Sequence, residues 1–570
     1  MGVLWFKHIF FENFVESNGL SQAVFTSLLI SSCLTLNFRA PPLIPNIPFL
    51  WAWNAPTELC FGKSGDSIDL SLFSLVGSPR RDVTRQGVTI FYVDRLGYYP
   101  YIDRITGTSV HGGIPQKGSL KDHLEKAEKD IAFYMPTDNV GLAVIDWEEW
   151  RPTWIRNWAP KDVYKNQSIE LVQQQNIQLS VKEATEIAKV EFEKAAKSFM
   201  QETLKLGKLL RPNHLWGYYL FPDCYNYGFN KPNFNGSCYD IERRRNDDLE
   251  WLWKESTALF PSIYLNSVSS IRGGALYVRN RVQEAIRVSK VSDAKNPVPV
   301  YVYARPVLSD LTMKYLSEVD LVNTLGETVA LGASGIVIWG SLALMRKKKS
   351  CLNLEDYMKT TLNPYIINVT LAAKMCSQVL CHEKGVCTRK HWNSSDYLHL
   401  NPTNFAIQIG KGGKYTVRGQ PTLEDLQQFF EKFQCSCFPN LICKTADIKD
   451  IRTIDVCIAD GVCIEASLNS EPSVQPTSWQ EKPSLTFDNV SLSTSSATKF
   501  FFWKLEIWDQ GVSRIGLPLM PFHGYQVKSP DVKECTATLP NPKSKVMTKT
   551  DVSPVVGETH FPGGLREGLL

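Results

Sequence analysis

No interior stretch of about 18 uncharged apolar residues occurs in this 570-residue chain, which excludes a polytopic membrane protein. An excess of one charge is also missing. With 62 basic against 58 acidic side chains the formal charge is +4, too little to argue for a nucleic-acid partner. The nine histidines are scattered, with no His-x-x-Glu-His type helix, so no metal site is expected. No Gly-x-Gly-x-x-Gly follows an early strand, and no Gly-x-Ser-x-Gly elbow or phosphate loop occurs. No cofactor is therefore expected. A composition of 43% hydrophobic and 21% charged residues also excludes collagen, a coiled coil and wholesale disorder.

Cysteine, by contrast, is abundant and uneven. Nine of the 14 fall between Cys376 and Cys535 without a histidine ligand pattern, which points to disulfides and an oxidising compartment. The apolar run Ala23–Leu36 has the length of a secretory signal, with cleavage expected near Thr35–Leu36 and residues 1–35 removed. Five sequons come after it, at Asn166, Asn235, Asn368, Asn393 and Asn489, as expected of a secretory glycoprotein.

Between about residues 41 and 350, short apolar runs alternate with helical patterns. The runs are Phe49–Trp53, Val88–Val93, Val140–Ile145, Leu215–Phe221, Ser262–Leu265, Val298–Tyr303 and Gly335–Trp339. They are continuous rather than alternating, as in parallel strands buried on both faces. Among the intervening segments, Ser180–Leu210 is the clearest helix, with Ala184, Ile187, Ala188, Phe192, Ala195, Phe199, Leu204 and Leu206 near one stripe. The pattern predicts an α/β fold, a (β/α) barrel over residues 36–370, with a doubly wound open sheet as the alternative. Residues 371–465 read as a small disulfide-stapled module. Its six cysteines from Cys376 to Cys443 alone allow 15 pairings. Residues 466–570 read as a Ser/Thr/Pro-rich linker and disordered tail.

The sharpest local feature is Asp146-Trp-Glu148-Glu-Trp150, directly after the run GLAVI. Catalytic groups of barrels sit at the C-terminal ends of strands. On an extended backbone Asp146 and Glu148 share a face, with Cα atoms roughly 6.6 Å apart. Two carboxyls that close resist double ionisation, so one can keep a proton and serve as a general acid. The flanking Trp147 and Trp150 are expected to lower the local polarity further. Spacing alone equally allows the pair to cap the next helix or face solvent. Coming from one strand, the two carboxyls do not straddle a glycosidic bond as the acid and nucleophile of an ordinary retaining glycosidase do. A single acid with a helper suits substrate-assisted cleavage of an N-acetylated sugar. Tyr218, Tyr219, Tyr264, Tyr301, Tyr303 and Trp339 could line a sugar cleft, although any one of them is as readily a core residue. Of the basic runs Arg243–Arg245 and Arg346–Lys349, solvated surface is the expectation. Arg279 or Arg281 could meet a substrate carboxylate.

Five segments carry a family resemblance: Phe49–Asn54 (FLWAWN), Phe91–Pro100 (FYVDRLGYYP), Ala143–Pro152 (AVIDWEEWRP), Leu215–Cys224 (LWGYYLFPDC) and Gly335–Gly340 (GIVIWG). The chain resembles the hyaluronidases of animals, most closely their sperm-surface members, from about residue 36 to about 490. The resemblance implies a distorted (β/α) TIM-like barrel followed by an EGF-like module. It implies endo-hydrolysis of the β-1,4 bond between N-acetylglucosamine and glucuronate in hyaluronan, with retention through the acetamido group. Glu148 then corresponds to the acid/base and Asp146 to its proton-sharing partner. Tyr219 and Tyr264 correspond to the groups holding the acetamido, Trp339 to the cleft floor and Arg281 to the substrate-carboxylate contact. The implied disulfides are Cys60–Cys351, Cys224–Cys238, Cys376–Cys387, Cys381–Cys435, Cys437–Cys443 and Cys457–Cys463.

The implied partners are hyaluronan, with chondroitin as a further substrate, and egg-coat glycoproteins, at the sperm surface or acrosomal membrane. A membrane would be met only through a lipid anchor. The stretch after Thr498 departs from that pattern. Phe500–Trp503 is an apolar run of four between Lys499 and Lys504, against roughly 10 to 20 for an anchor signal. The residues beyond Lys504 are polar, rich in proline, and include Cys535. Two alternatives remain open on sequence grounds: a gamete-surface adhesion protein that binds sugar without cutting it, and a chitinase-like endohydrolase.

Overall fold

A computed structural model describes residues 37–468, apart from 64–67, 411–412, 442, 444–447 and 460. The signal, the tail, Cys33, Cys535 and Asn489 lie outside the described residues. No helix among the described residues is long and apolar enough to cross a membrane.

Seven parallel strands form the centre: β1 (Leu50–Asn54), β2 (Leu75–Gly77), β3 (Val88–Tyr92), β4 (Gly141–Asp146), β5 (His214–Tyr218), β6 (Tyr301–Ala304) and β7 (Gly335–Trp339). β1 pairs with β2 and with β7, and β7 with β6, all parallel; β3, β4 and β5 form a second parallel ladder. Two joints close these ladders into a ring. At one, the Gly87 N–H donates to the Val76 carbonyl at 3.0 Å. A Cβ on Gly77 would stand 2.1 Å from the Val88 carbonyl oxygen, so only glycine lets β2 approach β3 this closely. At the other, Leu259–Ser262 bridges β5 and β6 through Tyr219–Phe260, Leu259–Val300 and Ser262–Tyr303 contacts.

Six of the seven expected runs are thus strands. The seventh, Ser262–Leu265, is shifted: the pairing falls on Leu259–Ser262 and is irregular. Pro261 has no N–H to give the ladder, although its carbonyl accepts the Tyr303 N–H at 2.8 Å. β2 is unanticipated because three residues carry no period.

Alternation sorts the strand residues into two cores. Leu50, Ala52, Val88, Ile90, Leu142, Val144, Tyr301, Tyr303 and Val337 fill the inside of the ring. Trp51, Trp53, Phe91, Ala143, Ile145, Trp216 and Val302 point outward into the helical layer. That layer includes α1 (Leu120–Tyr134), α2 (Asp162–Gln175), α3 (Val181–Leu210) and α4 (Gly274–Val288). Ser180 starts α3 with a reciprocal cap to Glu183. Its buried row is Ala184, Ala188, Phe192, Ala196, Phe199, Met200, Thr203, Leu204 and Gly207. Ile187 is exposed and Ala195 only half-buried. The strict i, i+4 row selects Ala196 in their place.

The cysteine-rich segment packs on the same unit. α5 (Glu327–Ala330) belongs to the barrel's helical layer, and α6 (Lys348–Tyr357) leads through a π-turn into α7 (Asn363–Cys376). β8 (Gly385–Arg389) pairs antiparallel with β9 (Phe433–Cys437). Among the described residues six disulfides form: Cys60–Cys351, Cys224–Cys238, Cys376–Cys387, Cys381–Cys435, Cys437–Cys443 and Cys457–Cys463. The carboxylate of Glu327, 0% exposed, ties the two parts. It accepts from Arg279 of α4 at 2.7 and 3.1 Å, from Arg389 of β8 at 2.7 Å and from the Tyr397 hydroxyl at 2.7 Å. Arg279 is consumed here, which removes it as a substrate contact.

These buried groups set how stability should respond to mutation and to acid. Glu327→Gln leaves two buried guanidinium groups without their counter-charge and should destabilise the fold by about 3–5 kcal/mol, read as a lowered thermal unfolding midpoint. Burial holds His123, His214 and His399 each at a pKa of about 4, below the ordinary 6.5. Between these values the unfolded chain takes up protons that the folded chain does not, so stability should be full above pH 6.5 and fall as pH drops toward 4. Unfolding midpoints that stay flat across that window would contradict this.

Candidate active site

The inward face of the ring ends, at the C-terminal edge of the strands, in polar and aromatic side chains. In β4 the inward residues are Leu142, Val144 and then Asp146. Asp146 stands opposite Tyr92 of β3 in register, and Asn54 of β1 opposite Trp339 of β7. The Tyr219 N–H donates to the Ile145 carbonyl at 2.9 Å, which brings Tyr219 beside β4.

Above the filled interior these groups meet. The Tyr219 hydroxyl donates to Ser262 Oγ at 3.3 Å, and its ring lies 5.1 Å from Tyr303 and 6.1 Å from Tyr264. Tyr264 stacks on Trp339 at 6.3 Å. The Trp339 indole N–H donates to the Tyr92 hydroxyl at 3.0 Å. The Arg305 guanidinium lies over both Tyr264 and Trp339, 5.6 and 5.1 Å from the ring centres. Burial pushes the Tyr219 phenol well up, and the neighbouring Tyr264, Glu148 and Asp146 push the same way. Burial also raises Tyr264, against the opposing pull of Arg305 and of its hydrogen bond with Tyr219. Both phenols therefore stay neutral and remain O–H donors through the physiological range.

The two carboxyls differ in access. Asp146 is 8% exposed, whereas the Glu148 side chain is 37% exposed. Glu148 Oε2 accepts from Arg151 at 3.1 Å, and the Glu148 N–H donates to Glu149 Oε2 at 3.1 Å. Neither carboxyl caps a helix: the next helical turn, Trp154–Arg156, starts from Thr153 without a side-chain cap. Trp147 and Trp150 are placed differently from the expectation. They are buried in the outer core, stacked on Tyr99 at 4.3 and 4.9 Å. The aromatic setting of the pair comes instead from Tyr219, Tyr264 and Trp339, distant in the chain.

Tyr219, Tyr264 and Trp339 thus meet Asp146 and Glu148 at one mouth, and Arg281 does not join them as a substrate contact. It is 2% exposed on α4, pairs with Asp223 at 2.9 Å, and donates to Asn226 Oδ1 and the Ser262 carbonyl, both at 2.9 Å. Tyr277 and Tyr227 flank its guanidinium at 4.5 and 4.7 Å. Its contacts are all turned into the protein, so its effect on the mouth is to hold the segment carrying Ser262. Tyr218 also turns outward, with its hydroxyl on the Met200 carbonyl at 3.1 Å. Tyr92 and Arg305 are the residues that sequence reasoning missed. Alternation would find both: Tyr92 continues Val88 and Ile90, and Arg305 continues Tyr301 and Tyr303.

Arg281→Ala should consequently act through stability. Leaving Asp223 buried and unpaired should cost about 3–5 kcal/mol and lower the unfolding midpoint. An unchanged midpoint with a raised KM would instead mark Arg281 as a substrate contact.

The hyaluronidase family model matches residues 38–450. The chain is 70% identical over 501 residues to Hyaluronidase PH-20 of Homo sapiens, spanning 88% of this chain and 97% of that one. It is 62% identical over 503 residues to Hyaluronidase PH-20 of Oryctolagus cuniculus, spanning 87% and 92%. The crystal structure of bee venom hyaluronidase in complex with a hyaluronic acid tetramer is similar at 32% identity and a TM-score of 0.51, over 56% of this chain and 98% of that one. With the family match across most of its length and a paired-carboxyl, aromatic-lined mouth at the strand ends, the chain belongs to the hyaluronidase family.

Proposed function

We propose that this protein is an endo-acting glycoside hydrolase that cleaves the β-1,4 bonds between N-acetylglucosamine and glucuronate in hyaluronan, with retention and with the sugar's own acetamido group as nucleophile. The observation that carries the reading is the convergence of Asp146, Glu148, Tyr219, Tyr264 and Trp339 on one mouth, within a chain of this family. Glu148, the more exposed carboxyl, gives its proton to the glycosidic oxygen as the bond to the anomeric carbon breaks. The acetamido carbonyl oxygen closes on that carbon from the other face. Asp146 accepts from the acetamido N–H and balances the positive charge of the cyclic intermediate. Tyr219 and Tyr264, held as neutral donors, orient the acetamido group, and the Trp339 face supports the sugar ring. In the second half, Glu148 takes a proton from water. The resulting hydroxide attacks the anomeric carbon, the ring opens, and the configuration is retained. Both carboxyls come from the C-terminal end of one strand and the residues just after it, which suits this route better than a carboxylate nucleophile across the bond.

Features outside the mouth fit the same function. The short β8–β9 pairing and the disulfides Cys376–Cys387, Cys381–Cys435 and Cys437–Cys443 support an EGF-like module over residues 371–465 after a catalytic barrel over 36–370. Exposed Asn166, Asn235 and Asn393 suit glycan attachment, and Asn368 is half-buried on α7. Likeness to proteins called Hyaluronidase PH-20, together with the sperm-surface motifs, supports a secretory protein of the sperm surface that acts in the egg's hyaluronan coat. Chondroitin is the further substrate, and egg-coat glycoproteins the further partners, that such a role allows.

Glu148→Gln keeps the shape of the side chain and removes its proton. It should lower kcat on hyaluronan by about 10²–10⁴-fold or more while leaving the unfolding midpoint within about 1 °C of wild type. Depolymerisation of hyaluronan at the wild-type rate by the folded variant would refute the assignment.

A further inference from the structure

Lys161 precedes α2 and reaches back to the peptide that carries Glu148. Its ammonium donates to the Glu148 carbonyl, and to the Glu149 carbonyl at 3.4 Å. Arg151 braces the same turn, with one guanidinium nitrogen on the Glu148 carbonyl at 3.2 Å and another on its carboxylate at 3.1 Å. The Glu148–Glu149 peptide is thus gripped from two sides. Of the two grips, that of Arg151 includes the carboxylate, whereas Lys161 holds only backbone.

We propose that Lys161 is a positioning residue for the acid: by holding the carbonyls of Glu148 and Glu149 it fixes the aim of the Glu148 carboxyl and sets an amine, rather than a second guanidinium, beside it. The inference rests on Glu148 being the acid of the proposed reaction, and adds a residue that acts through it without touching substrate.

One chemical difference separates this cation from Arg151. A guanidinium stays charged at every relevant pH, whereas a lysine can lose its proton when buried among like charges. The charged groups about Lys161 are Arg151 and Arg104, which oppose its charge, and Glu148 and Glu149, which favour it. Burial is the largest influence, followed by the two arginines, and the ammonium is brought from 10.5 down to about 7. Above about pH 7 that charge is lost and the grip on the two carbonyls weakens.

The test measures kcat and KM on hyaluronan from pH 4 to 8 for the full chain, for Lys161→Met and Lys161→Arg, and for Glu148→Gln. Lys161→Met should lose about tenfold in kcat at its optimum with KM within about twofold, since the grip is lost but no substrate contact is. Lys161→Arg restores a cationic grip and should recover most of kcat at acid pH. Wild-type kcat in Lys161→Met, or a Lys161→Arg variant no more active than Lys161→Met, would overturn the proposal. If Lys161→Met fails to fold, Lys161→Gln takes its place in the same comparison. An active Glu148→Gln would refute the parent assignment instead. An inactive Glu148→Gln beside wild-type-like lysine variants would refute only the role of Lys161.

Discussion

Everything at the candidate site depends on one geometric constraint: a closed ring of parallel strands offers only every second residue of each strand to its inside. Apolar residues occupy that inside as far as the ring is filled. The next inward position on each strand then stands at the C-terminal edge, above the filled interior. Asn54, Tyr92, Asp146, Tyr219, Arg305 and Trp339 all arrive there by the same count of two from buried neighbours. Strands distant from one another along the chain thereby assemble one mouth, and these side chains are aimed by backbone pairing.

Burying these arginines requires a specific arrangement of charge. Arg281 is enclosed by Asp223, Asn226 and two tyrosine faces, and Arg279 and Arg389 share the single carboxylate of Glu327. Each guanidinium is planar and many-donored, so it satisfies several partners at once and tolerates burial that an ammonium would not. Arg305 rests on the aromatic faces of Tyr264 and Trp339 and so brings positive charge to the mouth itself. Lys161 and Arg151 flank Glu148 in complementary ways, one gripping only backbone and the other also pairing the carboxylate.

The legible part of the architecture was the part with a period. Continuous Val/Ile/Tyr/Trp runs marked six strands, and the i, i+4 row marked α3, because burial on both faces or on one stripe leaves a repeating trace. β2 left none, being three residues long, and Pro261 displaced the expected seventh run by removing a ladder donor. The stripe of α3 leaves out Ile187 and Ala195 because composition near a stripe does not fix the helix's rotation to a single residue.

By itself, the sequence determined the positions of six strands, the placement of Asp146 and Glu148 at the C-terminal end of one of them, and the cysteine-rich character of the C-terminal segment, since each of these is set by local spacing. The family motifs pointed to the chemistry. Only the tertiary structure decided which aromatic groups surround the carboxyl pair. Trp147 and Trp150, adjacent in sequence, turn outward onto Tyr99, while Tyr219, Tyr264 and Trp339 arrive from distant parts of the chain. It also withdrew Arg281 into a buried pair with Asp223 and brought Lys161 onto the peptide of Glu148. These facts depend on contacts between residues far apart along the chain, and local periodicity carries no record of which distant partner a side chain will meet.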